Sequence, residues 1–456
     1  MFGHTLASQD GRPRLPGHRS GDVSTGASRS PQPTTLRPRI PLVDQQPDTA
    51  TEPEALICQT LPPLPTEYPV SDRDETPEQT QPPTTTPRRR WVRRMMFTGI
   101  ALIVLVAAVT GGAGWYFSGE VVNVTRADYD YPVTVQAVNG TEVTLPRTPE
   151  TERPGVWGLH WPDGRALLGE VVSGDDNTVV RNIHRVLYGD LRAGINTRVD
   201  TWAVGEDPQA AFGIPFESVD VETELGPAPA WYVPAEDDTW VIAVHGRNAE
   251  PREALRIIPA LHAAGLPVLS VTHRNDPGAP ASPDGLHHLG ATEWRDVAAA
   301  VDYAMAHGAS DVVLYGWSMG GAVTMMTLRN MESPERVSGI VLDSPVLDWA
   351  STLDKQGDQR SLPRALTTVA KWLVEWRVDL DLDDLDQRDF ASRMVTPVLL
   401  FADVADDTVD VGATLDFAEA VPDDLLTLVT TTAGHTASWN ENPAAYEAEV
   451  VKFVTA

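Results

Sequence analysis

The 456-residue chain predicts an α/β domain with a mostly parallel sheet and helices on both faces, set behind one membrane-length apolar helix and a small β-rich module. Three observations predict it. From Thr239 to Val454, short strand-like runs alternate with runs of helical periodicity, the pattern of parallel strands joined by crossover helices. Between residues 120 and 215, short alternating runs are broken by turn signals instead. Ahead of both, the stretch from Met95 to Gly119 carries no charge at all.

Composition narrows the function classes. A net charge of −29, from 35 basic and 64 acidic residues, excludes a nucleic-acid binder, which needs clustered Lys and Arg. One cysteine, Cys58, leaves no intrachain disulfide and no cysteine-rich metal site. Residues 1–94 hold 16 of the 38 prolines, and up to Pro87 their only aromatics are Phe2 and Tyr68. Such a segment cannot bury enough apolar surface to offset its own ordering, so residues 1–94 read as a disordered tail with polyproline stretches and no identifiable partner.

Five arginines within Arg88–Arg94 precede the apolar run. As a helix, residues 95–117 would reach about 35 Å, enough to cross a hydrocarbon core of about 30 Å. Trp115, Tyr116 and Phe117 would stand in the interfacial aromatic belt, and the arginines would keep the N-terminus in the cytoplasm. The expectation is a single-pass anchor in the lipid bilayer with everything after it outside the cytoplasm. A cleaved signal peptide, with translation from Met95 or Met96, would need a small-residue cleavage site, which Gly111-Gly112-Ala113-Gly114 supplies poorly. A buried core helix would be shorter.

Within 120–215, Asn139-Gly140 separates two alternating runs and predicts a hairpin. No catalytic constellation stands out there, and His160 and His184 read as packing or surface residues. After Pro215, residues 216–456 form the expected catalytic domain. Predicted strands include Thr239–Val244, Val312–Tyr315 and Val398–Phe401; predicted helices include Arg252–Ala264, Thr292–Ala306 and Met319–Asn330. An insertion of about 346–392 reads as a helical cap. Leu366, Val369, Trp372, Leu373 and Trp376 recur in it at helical spacing, either to set tryptophans over an apolar substrate group or to pack on the core.

The chemistry concentrates at Gly316-Trp317-Ser318-Met319-Gly320, placed directly after a strand and directly before a helix. A sharp strand-to-helix turn needs small residues beside the serine and presents its hydroxyl at the mouth of a site. A serine needs a base, and the base needs an orienting carboxylate. His435 follows a predicted strand, as does the acidic run Asp403, Asp406 and Asp407; Asp343 follows another. The order Ser, Asp, His suits this sheet topology. The loop from His273 to Gly290 holds histidines and aspartates, but at no metal-site spacing, so no metal is expected.

From about Pro215 onward, the chain resembles the α/β-hydrolase superfamily, close to its Bem46-like, serine-aminopeptidase-like and lysophospholipase-like branches. The resemblance covers about half the protein. It implies Ser318, Asp406 and His435 as catalytic residues. Asp406 holds the acid position of the family's G-x-x-D-x-x-V-P pattern, here with Asp403 for the glycine and Asp410 for the proline. It also implies that His245-Gly246-Arg247-Asn248 and the elbow supply an oxyanion hole from the backbone N–H groups of Arg247 and Met319, with His245 organising the turn. The expected activity is cleavage of a carboxylic ester, small or lipid-like, and less readily an amide, without a cofactor. An aminopeptidase or acyltransferase on the same triad is a second reading, and a catalytically silent scaffold a third.

Overall fold

The computed structural model describes residues 87–125 and 129–456. The expected disordered tail therefore lies outside the described residues up to Thr86. Its last part, residues 87–94, is helical and opens α1 (Pro87–Val122), which overruns the expected 95–117 at both ends. Pro87 has the fixed φ that suits a first helical position, and arginine is a good helix former. Among the described residues, α1 is the one helix long and apolar enough to cross a membrane.

Between Val133 and Asp200, seven strands form one antiparallel sheet around its own core of residues such as Leu145, Leu159, Trp161 and Leu168. The Asn139-Gly140 turn joins Ala137–Asn139 to Glu142–Pro146, with Gly140 at φ 64° as such a tight turn requires.

The second sheet has eight strands: β1 (Glu217–Thr223), β2 (Gly226–Val233), β3 (Thr239–Val244), β4 (Val268–Val271), β5 (Asp311–Trp317), β6 (Val337–Asp343), β7 (Val398–Asp403) and β8 (Leu426–Thr431). They lie in the order β1-β2-β4-β3-β5-β6-β7-β8. β1 and β2 are antiparallel to their neighbours and all other pairs are parallel, which gives the α/β-hydrolase sheet. Both faces are buried. Along β3, Trp240, Ile242 and Val244 enter one core while Val241 and Ala243 enter the other. The helices that cover them include α2 (Trp294–Ala306), α3 (Met319–Asn330), α4 (Trp349–Gln359), α5 (Arg364–Val378), α6 (Val411–Ala420) and α7 (Pro443–Val454).

Two elements differ from the sequence expectation. The β1–β2 hairpin stands before Thr239, in a stretch with Pro227 and Pro229. These prolines lie beyond the residues of β2 that pair with β4, so their missing N–H groups break no bond on that side. The expected helix Arg252–Ala264 is split into a 3₁₀ turn, Pro251–Arg256, and a short helix, Ile258–Ala263. Pro259 cannot bond back to Leu255, which divides the segment.

Candidate active site

β5 is central in the sheet, and its end delivers Ser318 onto a tight turn at φ 53°, ψ −119°. Left-handed backbone at a serine stores strain of roughly 1–3 kcal/mol. Its surroundings hold it there. Ser318 N–H donates to the Asp343 carbonyl at 3.1 Å, and its own carbonyl accepts from Gly321 and Val346 at 3.0 Å each. A Cβ on Gly316 would lie 2.5 Å from the Gly320 carbonyl oxygen, and one on Gly320 would strike the Val244 carbonyl. Glycine is thus a steric requirement on both sides of the serine.

β7 and β8 end at the same edge of the sheet. The loop after β7 carries Asp406 and the loop after β8 carries His435. His435 Nε2 lies 2.9 Å from Ser318 Oγ, and His435 Nδ1 lies 2.8 Å from Asp406 Oδ2. A carboxylate can only accept, so Nδ1 carries the proton and Nε2 is left to accept from the serine hydroxyl. Asp406 Oδ1 accepts from the N–H groups of Thr408 at 2.7 Å and Val409 at 2.8 Å, which fixes the carboxylate. Lys355, which the sequence did not single out, holds the loop by donating to the carbonyls of Asp406 and Val409, both at 2.6 Å.

The other acids face elsewhere. Asp403 accepts from Thr431 Oγ1 and the Ala405 N–H, both at 2.8 Å. Asp343 is buried and accepts from Ser438 at 2.8 Å and Tyr446 at 2.9 Å; burial pushes its carboxyl up, against the pull of Arg256. Asp407 accepts from Thr408 Oγ1 at 3.1 Å in an exposed part of the loop.

Arg247 and Met319 flank the serine. Met319 opens α3, where the first N–H groups have no partner inside the helix. The turn before Arg247 passes so close that a Cβ on Gly246 would lie 3.2 Å from Ser318 Cβ. The buried Glu253 accepts from the Gly246 N–H at 2.8 Å and pins that turn. Nothing in the sequence marks Glu253, because only the tertiary fold brings it under the loop.

His245 sits beneath the same turn. Its Nδ1 donates to the Gly246 carbonyl and its Nε2 to Asp276 Oδ2, both at 2.8 Å. Burial works against the charged ring, but the Asp276 carboxylate outweighs it and raises the imidazole to about 9. His245, His273 and Asp276 bring ligand atoms within 4.8 Å of one another. Both ring nitrogens of His245 are engaged as donors in a buried ion pair, however, and offer no lone pair to a metal.

This pair makes stability depend on pH. A folded value of about 9 above an ordinary 6.5 means that the contribution is fully present below about 6.5 and is lost as pH rises through 9. Stability should therefore fall as pH rises through that window. Thermal unfolding followed from pH 6 to 10 should show this slope in the wild type and not in His245→Gln; equal slopes would remove the ion pair from the account.

Over the site, α4, α5 and the end of α1 enclose a cavity of about 550 Å³ that reaches Ser318 and His435. Phe117, Val121, Leu353, Leu366 and Val374 form much of its apolar wall. The tryptophans proposed as a cover for substrate do not take part: Trp372 and Trp376 are exposed. Leu366, Ala370 and Val374 follow one four-residue row into the cavity, and the row through Trp372 and Trp376 falls on the opposite side of α5.

Residues 283–456 match the family model described as the prolyl oligopeptidase family, and residues 134–200 match one described as a domain of unknown function (DUF8805). No curated protein matches the chain. Among solved structures, the chain is similar to an esterase from Pyrococcus furiosus at 20% identity, with 55% of this chain and 96% of that chain covered and a TM-score of 0.45. It is also similar to the esterase RhEst1 from Rhodococcus sp. ECU1013 at 18% identity, covering 52% and 98%, with a TM-score of 0.37. An esterase from Exiguobacterium antarcticum is similar at 16% identity, covering 53% and 100%, with a TM-score of 0.38. The family match and the sheet order together support a serine hydrolase of the α/β-hydrolase type.

Proposed function

We propose that this chain of the α/β-hydrolase superfamily is a membrane-anchored carboxylic ester hydrolase, with Ser318 as nucleophile, His435 as base and Asp406 as orienting acid. The observation that carries the reading is the unbroken relay from Ser318 through His435 to Asp406, with both contacts under 3 Å. Ser318 Oγ attacks the ester carbonyl carbon as His435 Nε2 takes its proton, and the Arg247 and Met319 N–H groups hold the developing oxyanion. The imidazolium, stabilised by Asp406, protonates the leaving alkoxide as the acyl C–O bond breaks. Water, deprotonated by the same histidine, then hydrolyses the acyl-Ser318 to a carboxylic acid and restores the hydroxyl. No cofactor enters these steps.

Charge in the cavity favours an ester over a peptide amino terminus. Arg247, Arg360 and Lys371 line it against Glu120 alone, a poor environment for a substrate ammonium. The prolyl oligopeptidase match keeps an aminopeptidase as the second reading. On the membrane side, α1 crosses the bilayer, and the arginines at 88–94 hold the N-terminus in the cytoplasm. The hydrolase then faces outward.

Two measurements on the full-length protein test this. A fluorophosphonate probe should label Ser318, located by peptide mass, in intact cells. p-Nitrophenyl butyrate should be cleaved with a kcat/KM at least about 100-fold above that of aminoacyl-p-nitroanilides, a gap of about 2.7 kcal/mol. A reversed preference would establish the peptidase reading, and a folded protein that the probe never labels would end the hydrolase one.

A further inference from the structure

The exposed tryptophans and the course of α1 specify how substrate arrives. α1 is continuous from its apolar run into the cavity wall. From Met95, a hydrocarbon core of about 30 Å is crossed in roughly 20 residues, which brings the helix out near Gly114. At that point α1 closes on α5. A Cβ on Gly114 would lie 2.8 Å from Val369 Cγ1 and 3.1 Å from Leu373 Cδ1, so only a very small residue permits the approach. One residue on, Trp115 meets Trp376 with ring centroids 6.3 Å apart, and the Arg377 guanidinium stacks over Trp115 at 4.6 Å. Trp372 and Trp376 are 66% and 72% exposed on the outer side of α5.

Tryptophan rings with one apolar body and one N–H belong at the headgroup level of a bilayer, as does an arginine reaching along them. Trp115, Trp372, Trp376 and Arg377 thus form one interfacial cluster at the height where α1 leaves the hydrocarbon. Phe117 and Val121, which line the cavity, follow Trp115 by about 3 and 9 Å along the helix axis. The interfacial layer itself is about 5–8 Å thick on each side. The cavity wall therefore begins inside that layer.

Resting on the membrane-anchored esterase reading above, we infer that the substrate is the carboxylic ester of a bilayer-resident lipid, drawn from the outer leaflet into the cavity beside Ser318 that α1 and α5 wall. α1 also fixes the height of the reactive atoms. Arg247 donates to the Glu120 carbonyl at 3.0 Å, the Thr125 N–H donates to Asn248 Oδ1 at 3.0 Å, and the His287 N–H donates to the Val122 carbonyl at 2.8 Å. The loop assigned to the oxyanion is thereby bolted to the end of the anchor. The anchor serves as a depth gauge as well as a tether.

The test uses the full chain reconstituted in vesicles of phosphatidylcholine and phosphatidylglycerol that carry a fluorogenic diacyl ester lipid, with p-nitrophenyl acetate as the water-soluble comparator. In the double variant Trp372→Gln/Trp376→Gln, turnover of the vesicle ester should fall about tenfold while turnover of p-nitrophenyl acetate stays within twofold. Brominated-lipid quenching of tryptophan fluorescence should fall in the same variant. An unchanged vesicle rate overturns the inference, and so does a parallel fall on both substrates, which would mean that the tryptophans support the fold. A wild type that cleaves p-nitrophenyl acetate and leaves the vesicle ester intact overturns it alone. Inactivity on both substrates strikes the esterase reading itself.

Discussion

Ser318→Ala is expected to lower ester kcat/KM by about 10⁴–10⁶-fold while leaving the circular dichroism spectrum and unfolding temperature close to those of the wild type. The size follows from what the hydroxyl does. Ser318 Oγ is the atom within 2.9 Å of His435 Nε2, and without it the histidine can activate only water. The residual rate would come from binding and from the oxyanion donors, which a side-chain change leaves in place. The fold should tolerate the change because the turn is held through the backbone of residue 318, which donates to the Asp343 carbonyl and accepts from Gly321 and Val346. Alanine meets about the same cost as serine at φ 53°. Turnover within tenfold of wild type would end the assignment of the nucleophile.

Asp406→Asn should cost about 10⁴-fold in kcat at neutral pH. Asparagine can turn its NH₂ toward His435 Nδ1, and the histidine then carries its proton on Nε2, where it blocks acceptance from Ser318. The substituted side chain can still accept from Thr408 and Val409 through its amide oxygen, so the loop should keep its shape. Rates should be normalised to active sites titrated with fluorophosphonate, which separates chemistry from folding. On that basis, Asp403→Asn and Asp343→Asn should each change kcat less than tenfold, because their oxygens meet Thr431, Ser438 and Tyr446 rather than the imidazole. A loss at Asp403 equal to that at Asp406 would transfer the role of the acid.

Why these residues could be picked from sequence is a matter of local constraint. Gly316 and Gly320 are dictated by a turn whose neighbours are close in the chain or directly beneath it, so the pattern is written in five consecutive positions. The parallel strands announce themselves as apolar runs because both faces of the sheet are buried. The β1–β2 hairpin lacks that signature: β1 alternates with exposed polar residues and β2 carries two prolines. Long-range partners were hidden for a different reason. Glu253 under Gly246, and Lys355 on the Asp406 loop, act through contacts that no spacing encodes. The direction of Trp372 and Trp376 was equally illegible. Helical periodicity identifies a row of residues but not which neighbour the row faces, and both faces of α5 are apolar in part.

The antiparallel sheet grips the segment behind His435. Asn440 Nδ2 donates to the carbonyls of Val156 at 2.8 Å and Thr201 at 2.9 Å, and the Val156 N–H returns a bond of 2.8 Å to the Asn440 carbonyl. Ala203 and Val204 lie in the same core as β3 and β5. Expressing residues 216–456 by themselves would strip that lining and leave the histidine's return path without its outer brace. The two sheets therefore share one seam, and a graft of either onto a stranger would have to rebuild it.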